Sequence, residues 1–199
     1  MIHPSTKLQY INDQMGYGVF ATHLIPKGTI VYVKDPLEIE IEPNDFNTFP
    51  LVLQEHIEKY SYIDERGIRI ISWDLAKYVN HCCQCNTIST GYGFEIAIRD
   101  IFPGEEITDE YGLFNMCQDM VIGCCESGCR GRVSALDADL YWREWDEKIV
   151  DALQHFQDNK QPLLPLVDEF TKNRLEAYLT GLAPYESVQK LRYRTNIAS

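Results

Sequence analysis

The apolar pattern of this 199-residue chain changes period once, near residue 132, and that change limits what it can fold into. Before it, apolar residues come in short runs cut by Gly and Pro. Residues 17–23 (YGVFATH), 29–34 (TIVYVK) and 68–72 (IRIIS) are rich in β-branched and aromatic side chains and read as strands, with Pro26-Lys27-Gly28 as a turn between the first two. Residues 37–42 (LEIEIE) alternate, which predicts Leu37, Ile39 and Ile41 on a core face and three glutamates in water. Residues 94–101 (FEIAIRDI) alternate again up to a Pro103-Gly104 turn, and EEITDEY follows as a further strand. One helix is expected in this region, with Pro50 at its first position and running to about Tyr60, Leu53 and Ile57 sharing a face. Beyond residue 132, Trp142, Trp145, Ile149, Leu153 and Phe156 recur at helical spacing, with Asp137 or Asp139 as the cap. Pro162 and Pro165 break that helix, and residues 166–179 read as a second one stopped by Gly181. The expectation is a mainly β region followed by an α-helical extension over 133–199.

Charge and cysteine content narrow the function classes. The 18 Lys+Arg against 30 Asp+Glu leave a net charge of −12, which argues against direct nucleic-acid binding or an anionic-membrane surface and favours cationic partners. No apolar run approaches the ~18 residues of a membrane span, and the start lacks a secretory signal layout. The seven cysteines fall in two tight clusters, Cys82, Cys83 and Cys85, then Cys117, Cys124, Cys125 and Cys129. An odd number so arranged does not suit a secreted disulfide framework. It suits an intracellular, reducing compartment, cytoplasm or nucleus, and thiols that bind zinc once the two clusters meet in space.

Four segments in order resemble the SET-domain family of protein-lysine methyltransferases. Gly16-Tyr17-Gly18-Val19-Phe20-Ala21, followed by Ile25-Pro26-Lys27-Gly28-Thr29-Ile30, is similar to the family's GxG strand-turn opening. Asn80-His81-Cys82-Cys83-Gln84-Cys85-Asn86, preceded by Lys77-Tyr78-Val79, is similar to NHSCxPN. Gly104-Glu105-Glu106-Ile107-Thr108-Asp109-Glu110-Tyr111-Gly112 is similar to GEELTxDYG, and Cys124 to Cys129 with Arg130-Gly131 resembles the post-SET cysteine segment. The resemblance implies a β-clip of small curved sheets with a pseudoknot-like crossing of the last motifs, divided as a SET-like catalytic domain over 1–116, a post-SET-like segment over 117–132 and the helical extension.

It also implies an activity: S-adenosylmethionine-dependent methylation of a lysine on a protein, a basic one such as a histone. Tyr111 is then the catalytic residue where cofactor and lysine meet, and Gly16, Tyr17, Gly18, Lys77, Tyr78, Asn80, His81 and Tyr111 bind the cofactor. Tyr17 and its flanking glycines are expected to offer backbone, since glycine lets a ligand approach closely. Tyr60 and Tyr62 read first as core packing, with a place in the substrate channel as the alternative. The implied structural zinc takes Cys83, Cys124 and Cys129; the fourth position falls on Ile122, so Cys125 or Cys117 completes it, with Cys82 and Cys85 as spare thiols. Three departures, Lys77 for Arg, Asp109 at the channel position and Glu110 for Asp, keep open a catalytically silent SET-like module that binds a peptide or partner.

Overall fold

The computed structural model describes residues 1–123 and 128–194. In chain order its strands and helices are β1 (Thr6–Asn12), β2 (Gly16–Ala21), β3 (Ile30–Val33), β4 (Ile39–Ile41), α1 (Pro43–Phe46), α2 (Leu51–Tyr60), β5 (Ser61–Ile63), β6 (Arg69–Ile71), β7 (Asn80–His81), β8 (Thr87–Ser89), β9 (Phe94–Ala97), β10 (Glu106–Asp109), β11 (Met120–Val121), β12 (Arg132–Val133), α3 (Asp137–Leu153) and α4 (Glu169–Leu179). The strands form small separate sheets ordered β1-β2-β10-β7, β3-β9-β8 and β4-β6-β5, with β11 and β12 as a pair. This is the mainly β, SET-like fold class with a helical C-terminal part.

The first sheet positions the three motifs relative to one another. β1 and β2 form an antiparallel hairpin, with Gln9 opposite Gly18 and Tyr10 opposite Tyr17. β10 joins β2 on its other edge, Ile107 opposite Val19. β7 then lies parallel to β10, with Thr108 beside Asn80 and Asp109 beside His81. The second and third motifs, some 25 residues apart in sequence, therefore run side by side.

β9 separates two cores. Its Phe94 and Ile96, with Ile30 and Ile88, pack against Trp145, Ile149, Ala152 and Leu153 of α3. Ala97 belongs to a second cluster with Val19, Val31 and Ile107. The period-2 alternation of side chains along a strand produces this division. At roughly 25 cal/mol per Å² of apolar area, the α3 interface is a major stabilising contact, so 133–194 is not a loose tail.

Several expected elements shift in position or register. Leu37 is 64% exposed and Ile39 52%, and only Ile41 is buried. β4 is the outer strand of a three-stranded sheet, paired only with β6, and is too short to present a full apolar face. Pro50 is the cap of α2 rather than its first residue. Ile57 is buried and Leu53 is not. Asp137 and Asp139 occupy the first turn of α3, which Leu136 precedes without a side-chain cap. Asp168 caps α4 through the Thr171 N–H at 2.9 Å. Tyr111 lies not in a strand but in a short 3₁₀ turn, Tyr111–Leu113, capped by Glu110. Among the described residues no helix is long and apolar enough to cross a membrane.

Candidate active site

Tyr111 is held at three points. Its backbone N–H points at His81 Nδ1, 3.2 Å away, its hydroxyl donates to the carbonyl of Val79 at 2.5 Å, and its ring lies 5.0 Å from that of Phe114. The turn beneath it is fixed by Glu110, whose Oε1 accepts from Gly112 N at 2.8 Å and from Arg130 at 2.6 Å. Gly112 leaves room for this arrangement: a Cβ there would stand 2.8 Å from the Trp145 ring. Burial pushes the Tyr111 hydroxyl well above its ordinary pKa, with Asp109 and Glu95 adding to the effect, so it stays a neutral phenol.

His81 joins the two motifs. Its side chain is 2% exposed, and Nδ1 lies 3.0 Å from the Asp109 carbonyl as well as near Tyr111 N. One tautomer serves the first contact and the other the second. Nε2 is 3.5 Å from Cys83 Sγ. Burial, reinforced by the Arg130 cation, lowers the ring pKa to about 4, so the imidazole is neutral in either tautomer.

Asn80 ties the GxG strand to the same place. Its Nδ2 donates to Tyr17 O at 3.1 Å and to Glu106 Oε1 at 2.8 Å. Tyr10, Tyr17, Tyr78 and Tyr60 follow one another edge to face at 5.6, 6.1 and 5.6 Å, and the Tyr17 side chain is 49% exposed. Gly18 is required by the protein itself rather than by open space for a ligand. A Cβ there would meet Glu106 Oε1 at 2.5 Å, Ile11 Cδ1 at 2.7 Å and Asn80 Nδ2 at 3.1 Å. Gly16 adopts φ 75°, a left-handed value that favours glycine, with nothing near its missing Cβ.

On the other side of Tyr111 opens a cavity of about 460 Å³. Its walls include Tyr32, Tyr60, Tyr62, Tyr111, Phe114 and Val79, and it also touches Lys77, Glu95 and Asp109. Tyr60 and Tyr62 both line this cavity. Lys77 faces this cavity, with its ammonium 5.6 Å from the Tyr78 ring centre. Gly16, Tyr17, Gly18, Asn80 and His81 are not among the cavity walls, so Tyr111 and Val79 stand between two regions.

The thiols sort by position. Cys83 and Cys129 Sγ are 4.0 Å apart. Arg130 N donates to Cys83 Sγ at 3.4 Å, and Gly131 N to Cys129 Sγ at 3.3 Å. Cys124 and Cys125 lie outside the described residues. Cys85 is not a spare ligand: it packs in the α3 core, and burial raises its thiol pKa well above the ordinary value. Cys117 is exposed and lines the cavity rim instead. Among the described residues no group of three metal-binding side chains comes together.

Arg130 is built into the support of the Tyr111 turn, a position its place in the cysteine motif does not reveal. It appeared only as the end of the cysteine motif, yet its guanidinium bridges Glu110 at 2.6 Å and Asp137 at 3.1 Å and sits 5.1 Å from the Tyr141 ring. The available signal was an arginine next to two clustered cysteines and an unexplained glutamate before Tyr111.

Comparison with known proteins bears on this arrangement. Residues 16–112 match the SET domain family. Among solved structures, a Plasmodium falciparum protein described as a "putative histone methyltransferase" is similar over 55% of this chain and 95% of that one, with 17% sequence identity and a TM-score of 0.40. No curated protein matches.

Proposed function

Because residues 16–112 of this chain are a SET domain, we propose that the protein transfers a methyl group from S-adenosylmethionine to a lysine side chain of a protein substrate. The observation that carries this reading is the position of the Tyr111 hydroxyl. It is anchored on Val79 O between an aromatic cavity on one side and the Tyr17–Asn80 region on the other.

The residues present fit the cofactor. The exposed ring of Tyr17 with Tyr78 beside it gives an aromatic ledge, and the Asn80 amide at its edge suits a zwitterionic amino acid group. Gly16, Tyr17 and Gly18 would contribute backbone, and Asn80 and His81 the opposite side. Lys77 is assigned to the cavity side instead. S-adenosylmethionine, when bound, supplies a sulfonium methyl for in-line displacement.

The rest of the chemistry belongs to the chain. Tyr111 keeps its proton on Val79 O and so turns its lone pairs toward the junction, where they accept weak C–H···O contacts and orient the amine. The rings of Tyr60, Tyr62 and Phe114 form walls that exclude water and tolerate a cation. Alignment of two reacting groups in such a channel supplies much of the rate enhancement.

Cys83 and Cys129, with the Arg130 and Gly131 amides donating to their sulfurs, fit half of a thiolate zinc site. Cys124 and Cys125 would complete it. Zinc there would pin the 117–132 segment beside the cavity.

The rim of the cavity mixes Glu58 and Asp119 with Lys59, Arg69 and Lys77, so it is not a uniformly acidic funnel. A basic substrate segment, such as a histone tail, is supported by the net charge and by the family. The test is incubation of the intact protein with radiolabelled S-adenosylmethionine and a panel of basic proteins and peptides, histones included. Label on a lysine confirms the reading. Cofactor or peptide binding without label in any substrate favours a silent binding module.

A further inference from the structure

Two carboxyl groups stand in the cavity wall, Glu95 on β9 and Asp109 at the end of β10. Asp109 is 1% exposed. Its Oδ1 accepts from Glu110 N at 2.7 Å, while Oδ2 is buried with no hydrogen-bond partner. A carboxylate oxygen sealed from water without a donor is costly to leave, so its retention asks for a ligand or a proton. Glu95 lies within hydrogen-bonding reach of Asp109. Two acceptors can meet in that way only through one shared proton, which leaves a single negative charge at the wall of a cavity that Tyr111 also lines.

A lysine nitrogen entering this cavity is cationic in solution, with a pKa near ~10.4, and cannot attack until it loses a proton. We propose that Asp109, with the carboxyl of Glu95 beside it, takes that proton from the substrate ammonium before methyl transfer. The inference rests on the lysine-methylation reading. In the step, one N–H bond of R–NH₃⁺ breaks and its proton goes to Asp109. The pair then holds two protons and no charge, and the amine is neutral. The nitrogen lone pair next forms the N–CH₃ bond as the C–S bond of the sulfonium donor breaks, with its electrons left on sulfur. The products are the methylammonium and a neutral thioether, and the pair returns its extra proton to solvent through the cavity mouth.

The surroundings suit the role. Burial pushes Asp109 up to about 7, with the Glu110 N–H opposing this and the Glu110 charge adding to it, and burial with Asp109 beside it raises Glu95 well above its ordinary value. The Glu110 N–H donated to Asp109 Oδ1 at 2.7 Å favours the charge on Asp109, so Glu95 keeps the shared proton and Asp109 is the ionised partner. Glu38 acts on Glu95 in the same direction, and the Met1 ammonium opposes it. Tyr32, Tyr62, Tyr111 and Cys85 are all neutral here, since burial raises each of them.

The experiment is kcat/KM against pH for wild type, Asp109→Asn and Glu95→Gln, with melting temperatures alongside. Asp109→Asn removes a buried charge and keeps an amide oxygen as acceptor for Glu110 N, so it should melt no lower than wild type. General-base loss typically costs ~10²–10⁴-fold. The variant should lose at least about 10²-fold at pH 7.5 and recover close to tenfold per pH unit as the free amine becomes available. Glu95→Gln replaces the carboxylic acid O–H that faces Asp109 by a weaker amide donor, so it should move the acid limb to higher pH with a smaller loss. An Asp109→Asn variant with wild-type rate at pH 7.5, or with an equal loss at every pH, overturns the proposal. Should Asp109→Asn fail to fold, an unshifted acid limb in Glu95→Gln overturns it. A wild type that methylates nothing refutes the enzyme reading instead, and n-butylammonium chloride binding at pH 8 then decides the site. Tighter binding to wild type than to Asp109→Asn sustains Asp109 as the amine-facing group, and equal binding rejects it.

Discussion

Replacing Arg130 by Ala should destabilise the protein in a pH-dependent way. The guanidinium is 15% exposed and bridges Glu110, 2% exposed, to Asp137. Removing one partner of a buried pair leaves the other charge uncompensated, at a cost of ~3–5 kcal/mol. For a chain of this size that is a fall in melting temperature of roughly 6–20 °C. Burial already raises the Glu110 carboxyl above its ordinary 4.5, with Arg130 holding it down. A carboxyl whose folded pKa exceeds its unfolded one favours the folded state in acid. Its stability contribution is full below the unfolded pKa and falls as pH rises through the folded value. Arg130→Ala raises that folded value further, so the variant should lie close to wild type near pH 4.5 and fall increasingly behind it toward pH 8. Glu110→Gln keeps an acceptor for Gly112 N and leaves Arg130 its Asp137 partner; it no longer titrates, so its deficit should be smaller and should shrink as pH rises. Thermal unfolding followed by circular dichroism from pH 4.5 to 8 measures this. An Arg130→Ala deficit that is absent, or the same at both ends, refutes the argument.

Further predictions address the site. Tyr111→Phe removes the hydroxyl that donates to Val79 O and should cost ~10²–10³-fold in methyl transfer, with S-adenosylmethionine binding by calorimetry within about tenfold of wild type. Gly18→Ala places a methyl 2.5 Å from Glu106 Oε1, should push Glu106 off Asn80 at a cost of ~1–3 kcal/mol, and should weaken cofactor binding; unchanged affinity would detach Asn80 from that role. Elemental analysis of untagged protein should find about one zinc per chain, with Cys83→Ala abolishing it and chelation lowering activity before the main unfolding transition; metal-free, fully active protein would remove zinc from the account.

The sequence was most legible where one local rule sufficed. The 3.6-residue recurrence of Trp145, Ile149 and Leu153 marked α3, and the motif segments around Gly16, Asn80 and Tyr111 are brought together by β2, β10 and β7. β1, β5 and β8 escaped notice. β1 is a half-exposed hairpin partner of mixed polarity, and β5 and β8 are three-residue strands whose pairing is set by distant partners. LEIEIE misled because alternation identifies two faces but does not say whether anything covers either one. The Asp109–Glu95 pairing could not be read at all. It joins residues of β9 and β10 at a cavity whose other walls, Tyr60 and Tyr62 among them, come from distant parts of the sequence.

β9 has a consequence for attempts to shorten the chain. One side of this four-residue strand is a wall against α3, and the other carries Glu95 into the cavity. It is a partition with load on both sides. Cutting after residue 132 would strip Phe94 and Ile96 of their cover while leaving every motif residue in the sequence. Such a fragment would keep the motif inventory and lose support for the cavity wall that carries Glu95, so the minimal folded unit is larger than the matched segment. The same partition couples α3 to the cavity wall, since a substitution that tilts this single strand moves Glu95 with it.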